Sequence, residues 1–270
     1  MENLVSIIMP TYNSGRFVME SIESIIRQSY YNFELLITDD ASSDNTMEIL
    51  ESCAKKDKRI RIFRLPKNMG AGSARNNSIK EAKGRYIAFC DSDDTWMPDK
   101  LEKQIRFMQK YNYCFCFASY FTCNEEGKRQ GVVIAPSSVS LIDTKRDDKI
   151  GFLTAIYDTS FYGKFYMPTL RKRQDWAFVL QILQKCKMAY ALKEPLACYR
   201  LSKSSISSNK LSLLRFNAKV YKTVFGYSTL HSYFYLFGIF LPLHILKLVN
   251  KRIVNIRYKK KISTIQTLLF

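Results

Sequence analysis

Two carboxylates in the sequence Asp91-Ser92-Asp93 stand one residue apart, directly after the apolar run Arg85–Cys90. Residues i and i+2 of an extended backbone project to the same side, so both carboxylates point the same way. Their mutual repulsion favours a cation between them, and hard divalent ions bind to one or two carboxylates together with phosphate oxygens. We therefore predict a Mg²⁺ or Mn²⁺ site with Asp93 and Asp91 as ligands. The alternative is an acidic loop that caps the next helix.

Two further polar clusters follow apolar runs in the same way. Pro10-Thr11-Tyr12-Asn13 comes after Val5–Met9, and Asp39-Asp40 comes after Glu34–Thr38. A carboxylate at such a position can accept a hydrogen bond from a ribose hydroxyl or a base N–H. The alternative role for Asp40 is turn formation with the residues that follow it.

Two charged residues outside these clusters could also do chemistry. Arg75 lies in the glycine-containing segment Asn68–Asn76, where the backbone allows close approach and a guanidinium can grip a diphosphate in a forked geometry. Asp175 follows three cations at the start of a predicted helix, where the helix dipole stabilises its anion. Asp175 is a candidate general base if that helix points towards the aspartates, and otherwise a helix cap.

The elements that must position these groups alternate between strand and helix over about one hundred residues. This order predicts an α/β fold with a mostly parallel, Rossmann-like sheet and helices on both faces. In such sheets ligands bind outside the carboxyl ends of the strands, so the three polar clusters are expected on one edge. The predicted strands are Val5–Met9, Glu34–Thr38, Arg59–Leu65 and Arg85–Cys90, and the helices are Gly15–Gln28, one capped by Asp44, Gly70–Ala82 and Asp99–Lys110.

The second half of the chain is less regular. We predict one domain over residues 1–208, with residues 1–110 as a nucleotide-binding half and 111–208 as an acceptor half, and a helical tail over residues 209–270. The predicted elements are strands Tyr113–Thr122, Gly151–Tyr157 and Met188–Leu192, a loop at Lys145–Lys149, and helices Asp175–Lys187, Lys210–Phe225 and Leu230–Lys251.

The bulk composition excludes several classes of protein. A hydrophobic content of 47% over 270 residues supports a packed core and excludes a disordered chain. Seven scattered cysteines without zinc-type spacing predict reduced core thiols, as in a cytosolic protein. The N-terminus has neither a basic segment nor an apolar signal region, so we expect no signal peptide.

The net charge of +18 is concentrated in the tail, because no Asp or Glu follows Glu194 and the remaining 76 residues hold 13 Lys or Arg. Thr223–Leu246 is an uncharged, aromatic-rich stretch with basic flanks, and its densest part is too short for a span. We therefore predict an apolar, amphipathic helix lying on an anionic membrane surface. The alternative is a helix packed on the domain. Nucleic acid is disfavoured because the apolar residues are not interleaved with the charges.

Four segments in order resemble the family 2 glycosyltransferases of the GT-A fold: Val5–Asn13, Ile37–Asp44, Asn68–Asn76 and Asp91–Asp94. The resemblance implies an inverting transfer of a sugar from a nucleotide-diphosphate donor. The implied donor-binding residues are Pro10, Thr11, Tyr12, Asn13, Asp40, Arg75, Asp91, Ser92 and Arg200. Asp93 would be the principal metal ligand and Asp175 the catalytic base. Many relatives have Glu before this Asp, whereas this chain has Gln174.

Residues 150–208 resemble a narrower branch, the bacterial enzymes of teichuronic-acid-like and capsular polysaccharides, through Arg173–Trp176, Glu194–Leu196 and Tyr199–Ser207. This implies a lipid-linked saccharide acceptor, a UDP-sugar donor and a peripheral location on the cytoplasmic face of the plasma membrane. The alternatives are a sugar nucleotidyltransferase, disfavoured by the lack of a glycine-rich basic loop after the first strand, and a non-catalytic membrane-docked relative. The sugar, the acceptor linkage and the oligomeric state stay open.

Overall fold

A computed structural model describes residues 3–201, 210–243 and 245 of the chain. Its first part alternates strands and helices, as the sequence predicts. The elements are β1 Val5–Thr11, α1 Val18–Ile26, β2 Phe33–Asp39, α2 Thr46–Lys56, β3 Ile60–Arg64, α3 Ala71–Glu81, β4 Tyr86–Phe89, β5 Thr95–Trp96 and α4 Lys100–Tyr111.

The second part contains longer strands and the C-terminal helices. The elements are β6 Phe115–Cys123, β7 Arg129–Val133, β8 Ser138–Ser140, α5 Leu141–Arg146, a 3₁₀ turn Phe152–Thr154, β9 Ile156–Asp158, α6 Thr159–Tyr162, α7 Gln174–Cys186, β10 Met188–Arg200, α8 Lys210–Phe225, α9 Thr229–Tyr235 and a π-helix Leu236–Phe240.

The strands form one mixed sheet of ten strands with the order β3-β2-β1-β4-β9-β6-β10-β5, while β7 pairs with β6 and β8 with β10. β3, β2, β1 and β4 are mutually parallel. β9 runs antiparallel to both β4 and β6, and β10 runs parallel to β6. The carboxyl ends of β1, β2, β4, β6 and β10 therefore lie on the same edge. The predicted mostly parallel α/β fold is confirmed.

The sheet is buried on both faces, which explains why its central strands are continuously apolar. Along β1, the side chains of Val5, Ile7 and Met9 enter one core cluster and that of Ile8 enters the other. Every residue of β1 and β2 is buried. The two cores hold the strand ends in a rigid frame.

Several predicted boundaries are wrong. The predicted strand Gly151–Tyr157 is a 3₁₀ turn followed by the three-residue strand β9, and part of the predicted loop Lys145–Lys149 is helical. The last predicted strand extends to Arg200 instead of ending at Leu192. Register shifts around Pro195 interrupt its pairing with β6, so its apolar alternation is broken in the sequence.

The structure draws four of the seven cysteines together in two pairs. Cys114 lies beside Cys186 and Cys123 beside Cys198, with Cα atoms 6.2 Å apart in both pairs. Whether these thiols are reduced, as the sequence predicts, stays a prediction. Each pair joins residues more than seventy positions apart, so only the fold brings them together. Cys53, Cys90 and Cys116 are free and buried, as predicted.

The C-terminal helices pack on α7. Ala218, Val220, Tyr221, Leu236 and Phe240 form a buried cluster with three residues of α7, namely Trp176, Ala177 and Leu180. The inner side of these helices therefore packs on the domain, which is the alternative that the sequence left open for the tail. Within the described ranges, no helix is both long and apolar enough to span a bilayer. Ser202–Ser208 and residues 246–270, which include the end of the predicted helix Leu230–Lys251, lie outside the described residues.

Candidate functional site

The three polar clusters come together at one edge of the sheet, as the sequence predicts. Thr11 is paired with Asp39 in the parallel register of β1 and β2, and the Asp40 amide donates to the Thr11 carbonyl over 2.8 Å. On the other side of β1, the Cys90 amide donates to the Ile8 carbonyl over 3.1 Å. The next residue, Asp91, therefore lies beside the carboxyl end of β1.

The loop after β1 is held by hydrogen bonds to the loop after β2. The Thr11 hydroxyl donates to Asp39 Oδ1 over 3.2 Å, and the Ser43 amide donates to Asn13 Oδ1 over 2.9 Å. Asn13 has a left-handed backbone with φ of 48°, which Asn tolerates better than most residues. Pro10 and Thr11 are buried, whereas Tyr12 is 50% exposed. Among the predicted donor-binding residues of this loop, Tyr12 therefore presents an open aromatic face.

Asp40 holds the backbone before α3. Its Oδ1 accepts from the Met69 amide and its Oδ2 from the Gly70 amide, both over 2.7 Å. Gly70 has a φ of 88°, a conformation that favours glycine. Asp40 is buried. Its position at the strand end is as predicted, and its direct contact with a nucleotide stays a prediction.

Arg75 contacts the first aspartate of the Asp91-Ser92-Asp93 motif. Its Nη2 lies 2.5 Å from Asp91 Oδ1, and its guanidinium carbon lies 5.3 Å from the centre of the Phe152 ring. The Arg75 side chain is buried, and its Nε donates to no atom of the described chain. The structure thus uses Arg75 to neutralise Asp91, and the predicted grip on a diphosphate stays a prediction.

The neighbouring carboxylates of Asp91, Asp93 and Asp94 repel one another. Partial burial and the charge of Asp91 raise the pKa of Asp93 to about 6. Burial, Asp93 and Asp91 also raise the pKa of Asp94, whose Oδ2 accepts no hydrogen bond from any described residue. A cation near Asp91 and Asp93 would relieve this repulsion, so the residues fit a divalent metal.

Neighbouring side chains fix the motif in place. The hydroxyls of Ser92 and Ser14 share a hydrogen bond of 2.7 Å, and the Ser21 hydroxyl donates to the Ser92 carbonyl over 2.9 Å. Within the described part of the chain, no group of three or more His, Cys, Asp or Glu side chains is arranged to hold a metal. Two carboxylates are nevertheless enough for an ion that also takes phosphate oxygens and water.

Arg200 is the last residue of β10, and its hydrogen bonds hold Asp93 and Asp94 in place. Its amide donates to Asp94 Oδ1 over 2.9 Å and its Nε donates to the Asp93 carbonyl over 2.8 Å. Its other two nitrogens donate to the Glu125 carbonyl and to Glu20 Oε2, each over 2.6 Å. Arg200 is buried. All three nitrogens thus bind protein groups, so the structure makes Arg200 a positioning residue, and its predicted contact with the donor stays a prediction.

The N-terminus of α7 lies against the start of α3. A Cβ atom built on Gly72 would meet Gln174 Oε1 at 2.1 Å, so this glutamine packs on bare backbone that only glycine provides. Asp175 follows in the first turn of α7, and Trp176 is buried behind it. The helix that carries Asp175 therefore begins beside the segment that leads to Arg75.

Tyr199 is the residue that the sequence analysis missed. It precedes Arg200 at the carboxyl end of β10, and its hydroxyl pKa is raised to about 12. Burial is the main cause, and the charges of Asp94, Asp91, Asp93 and Asp175 add to it. The next residue, Arg200, hydrogen-bonds Asp93 and Asp94, which places the end of β10 beside the acidic motif. Because the predicted strand stopped at Leu192, nothing in the sequence marked Tyr199 as a strand-end residue.

Comparison with known proteins agrees with this geometry. A family model described as glycosyl transferase family 2 matches residues 6–172. The chain is 40% identical over 222 residues to the putative teichuronic acid biosynthesis glycosyltransferase TuaG of Bacillus subtilis, covering 82% of this chain and 88% of that protein. It is also 40% identical to the UDP-Glc:alpha-D-GlcNAc-diphosphoundecaprenol beta-1,3-glucosyltransferase WfgD of Escherichia coli, covering 78% and 83%.

Solved structures show the same fold at low identity. S. aureus TarS 1-349 in complex with UDP-GlcNAc has a TM-score of 0.64 at 21% identity, covering 86% of this chain and 70% of that one. The mannosyltransferase PcManGT from Pyrobaculum calidifontis, in complex with GDP-Man and Mn²⁺, has a TM-score of 0.63 at 16% identity, covering 86% and 69%. The chain belongs to glycosyl transferase family 2 and is a glycosyltransferase with the GT-A fold.

Proposed function

We propose that this enzyme transfers a sugar, with inversion, from a UDP-sugar donor to a hydroxyl of a lipid-linked glycan acceptor in bacterial cell-surface polysaccharide synthesis. The observation that carries the proposal is that Arg75 of α3 pairs with Asp91 of the acidic motif, while α7, which carries Asp175 in its first turn, begins against Gly72 of the same helix α3. The names of the relatives TuaG and WfgD support the pathway class and the lipid-linked acceptor.

Asp93 and Asp91 are proposed to hold the Mg²⁺ or Mn²⁺ together with phosphate oxygens of the donor. A bound divalent ion would supply positive charge for the diphosphate as it departs. Asp91 and Arg75 form an ion pair at this place, and Arg75 retains a buried N–H that has no acceptor among the described residues. The exposed ring of Tyr12 is proposed to contact the nucleotide, with Pro10, Thr11, Asn13, Asp40 and Ser92 shaping that part of the site.

Asp175 is proposed as the general base. Its carboxylate would take the proton of the acceptor hydroxyl while the hydroxyl oxygen bonds to the anomeric carbon and the bond from that carbon to the diphosphate oxygen breaks. Asp175 lies in the first turn of α7. Gln174 cannot replace it, because an amide does not accept a proton at neutral pH.

The proposed domain organisation assigns one role to each of the three predicted parts of the chain. Residues 1–110 would bind the nucleotide, residues 111–208 would shape the acceptor site, and residues 209–270 would associate with the membrane. The enzyme would lie peripherally on the cytoplasmic face of the plasma membrane and would not bind nucleic acid.

The substitution Asp93→Asn tests the proposal, because it removes a charge and leaves the shape of the side chain. We expect Mn²⁺-dependent hydrolysis and transfer from UDP-sugars to fall by about 10²-fold or more, as when one electrostatic group of a site is lost. Glu51→Gln, an exposed residue of α2, is the matched control. Unchanged Mn²⁺-dependent turnover in the Asp93 variant would contradict the proposed role. Pyrophosphate release from a nucleoside triphosphate and a sugar phosphate would instead identify a nucleotidyltransferase.

A further inference from the structure

α8, α9 and the π-helix Leu236–Phe240 pack on the domain through their inner face. Ser232, Leu236 and Phe240 are spaced four residues apart and are all buried. The Phe240 and Tyr221 rings lie 4.9 and 5.5 Å from the Trp176 ring of α7. A second contact is made by Lys145 of α5, whose ammonium lies within 4.7 Å of the ring centres of Phe225, Tyr227 and Tyr235. The helices are therefore held on the domain by one face.

The opposite face of α9 and the π-helix is apolar and exposed. Leu230 is 83% exposed, Phe234 69% and Phe237 54%, at positions that repeat every three to four residues. The Tyr233 ring stacks on that of Phe237 with 6.1 Å between the ring centres, so two of the outer aromatics lie against each other. Large exposed apolar patches mark surfaces that bind a membrane, a ligand or a protein.

The charge around this patch selects among those partners. α8 presents the exposed cations Arg215, Lys219 and Lys222. α8 and α9 contact each other, are joined by the short connection 226–228, and share one buried cluster with α7. From residue 195 onward the sequence contains no Asp or Glu. An apolar, aromatic face, next in sequence to a helix that carries exposed cations and no carboxylate, matches an anionic lipid surface.

We propose that the face formed by Leu230, Phe234 and Phe237, together with the cations of α8, docks on an anionic phospholipid bilayer. The proposal deepens the proposed function, whose membrane-associated reaction it assigns to a specific surface. The helices that contact the lipid on their outer side contact Trp176 on their inner side, next to the candidate base Asp175. Docking would therefore present the catalytic edge to lipid-linked substrates in a fixed orientation.

Vesicle co-sedimentation of the full-length protein tests this surface without donor or acceptor, so the result does not depend on catalysis. Phosphatidylglycerol-containing vesicles are compared with vesicles of phosphatidylcholine alone. We expect the wild type to bind only the anionic vesicles, and the variant Leu230→Ser/Phe234→Ser/Phe237→Ser to lose binding. The variant Arg215→Gln/Lys219→Gln/Lys222→Gln should bind roughly a hundredfold more weakly, at about fivefold per cation.

The matched control is Tyr31→Ser/Ile134→Ser, which removes two exposed apolar side chains elsewhere on the protein and should bind vesicles like the wild type. Equal melting temperatures show that all variants are folded. Undiminished vesicle binding by the apolar-face variant, or no binding by the wild type, would overturn the proposal. So would a wild-type dimer that the apolar-face variant abolishes without any lipid effect, because the face would then join two copies of the chain.

Discussion

The guanidinium of Arg75 donates to Asp91 Oδ1 over 2.5 Å, and this ion pair links α3 to the acidic motif after β4. The Arg75 side chain is buried, whereas the Asp91 side chain is 38% exposed. Arg75 therefore has few alternative positions, while Asp91 can still reach a ligand. Burial and the charge of Asp91 raise the pKa of the neighbouring Asp93 to about 6.

Two substitutions of Arg75 distinguish the contribution of its positive charge to turnover from that of its planar, forked guanidinium. We expect Arg75→Lys to lower kcat/KM by about tenfold and Arg75→Met by about 10²-fold, because lysine keeps the charge without the planar fork. Steady-state kinetics over a range of Mn²⁺ concentrations measures both. In a cycle with Asp91→Asn, the effects of the two residues should be non-additive. Strict additivity would show that the contact has no role in turnover.

Asp175→Asn should abolish proton acceptance while keeping the helix start. We expect transfer to fall by roughly 10² to 10⁴-fold, the usual contribution of a general base, with donor affinity unchanged. Calorimetric titration with the UDP-sugar and Mn²⁺ measures donor affinity independently of turnover. Glu194→Gln, an exposed residue in the middle of β10, serves as the control. Normal transfer by Asp175→Asn would exclude the residue as the base.

Tyr199→Phe removes a hydroxyl at the carboxyl end of β10, which the hydrogen bonds of Arg200 place beside Asp93 and Asp94. We expect about a tenfold loss of transfer, because a hydrogen-bond donor near the acidic motif is lost, and a change in unfolding free energy of about 1 kcal/mol at most. Tyr190→Phe on the same strand is the matched control; its ring stacks on Tyr113 at 3.7 Å, towards the other end of β10. If both variants have wild-type kinetics, Tyr199 contributes only packing.

Phe240→Ala should reveal that the C-terminal helices stabilise the domain. Phe240 is buried against Trp176, and loss of a buried phenylalanine costs about 3–5 kcal/mol in unfolding free energy. Phe237→Ala is the matched control, because its side chain lies on the exposed side of the same π-helix. Denaturant unfolding measures both. Equal stabilities of the two variants would contradict the observed packing of this helix.

Lys100 gives the fold a pH dependence that can be measured. Its ammonium is fully buried, lies 3.8 Å from the Trp96 ring centre and has no hydrogen-bond partner within the described chain. Burial lowers its pKa from 10.5 to about 7. Between these values the unfolded chain binds more protons, so the unfolding free energy should rise with pH from about 7 to 10.5. Part of this stability is therefore lost as the pH falls towards 7.

Lys100→Met should remove that dependence, because methionine has a similar volume and carries no proton. Urea unfolding at pH 7, 8 and 9 measures the slope for the wild type and the variant. Lys103→Met is the control, since the Lys103 ammonium is solvent-accessible and paired with Asp99 and Glu194. An identical slope in the wild type and Lys100→Met would show that Lys100 does not titrate in this range.

Local patterns in the sequence are enough to predict the first half of the fold and the edge on which the site lies. Apolar strands that alternate with helices form parallel sheets, and parallel strands place their carboxyl ends together. Asp91, Asp93, Asp40 and Thr11 were therefore located by local pattern alone. Each of these residues lies within a few positions of a strand end, so its place in the sequence predicts its place at the edge of the sheet.

Only contacts between remote segments bring together the distant residues that complete the site. Asp175, Tyr199 and Arg200 are separated from Asp91 by more than eighty residues, and their approach depends on the irregular strand β10 and on α7 packing beside Gly72. Contacts of the same kind bring Cys123 beside Cys198 and turn one face of the basic tail inward onto Trp176. Such contacts arise from side-chain packing between remote segments, and no periodicity in either segment encodes its partner.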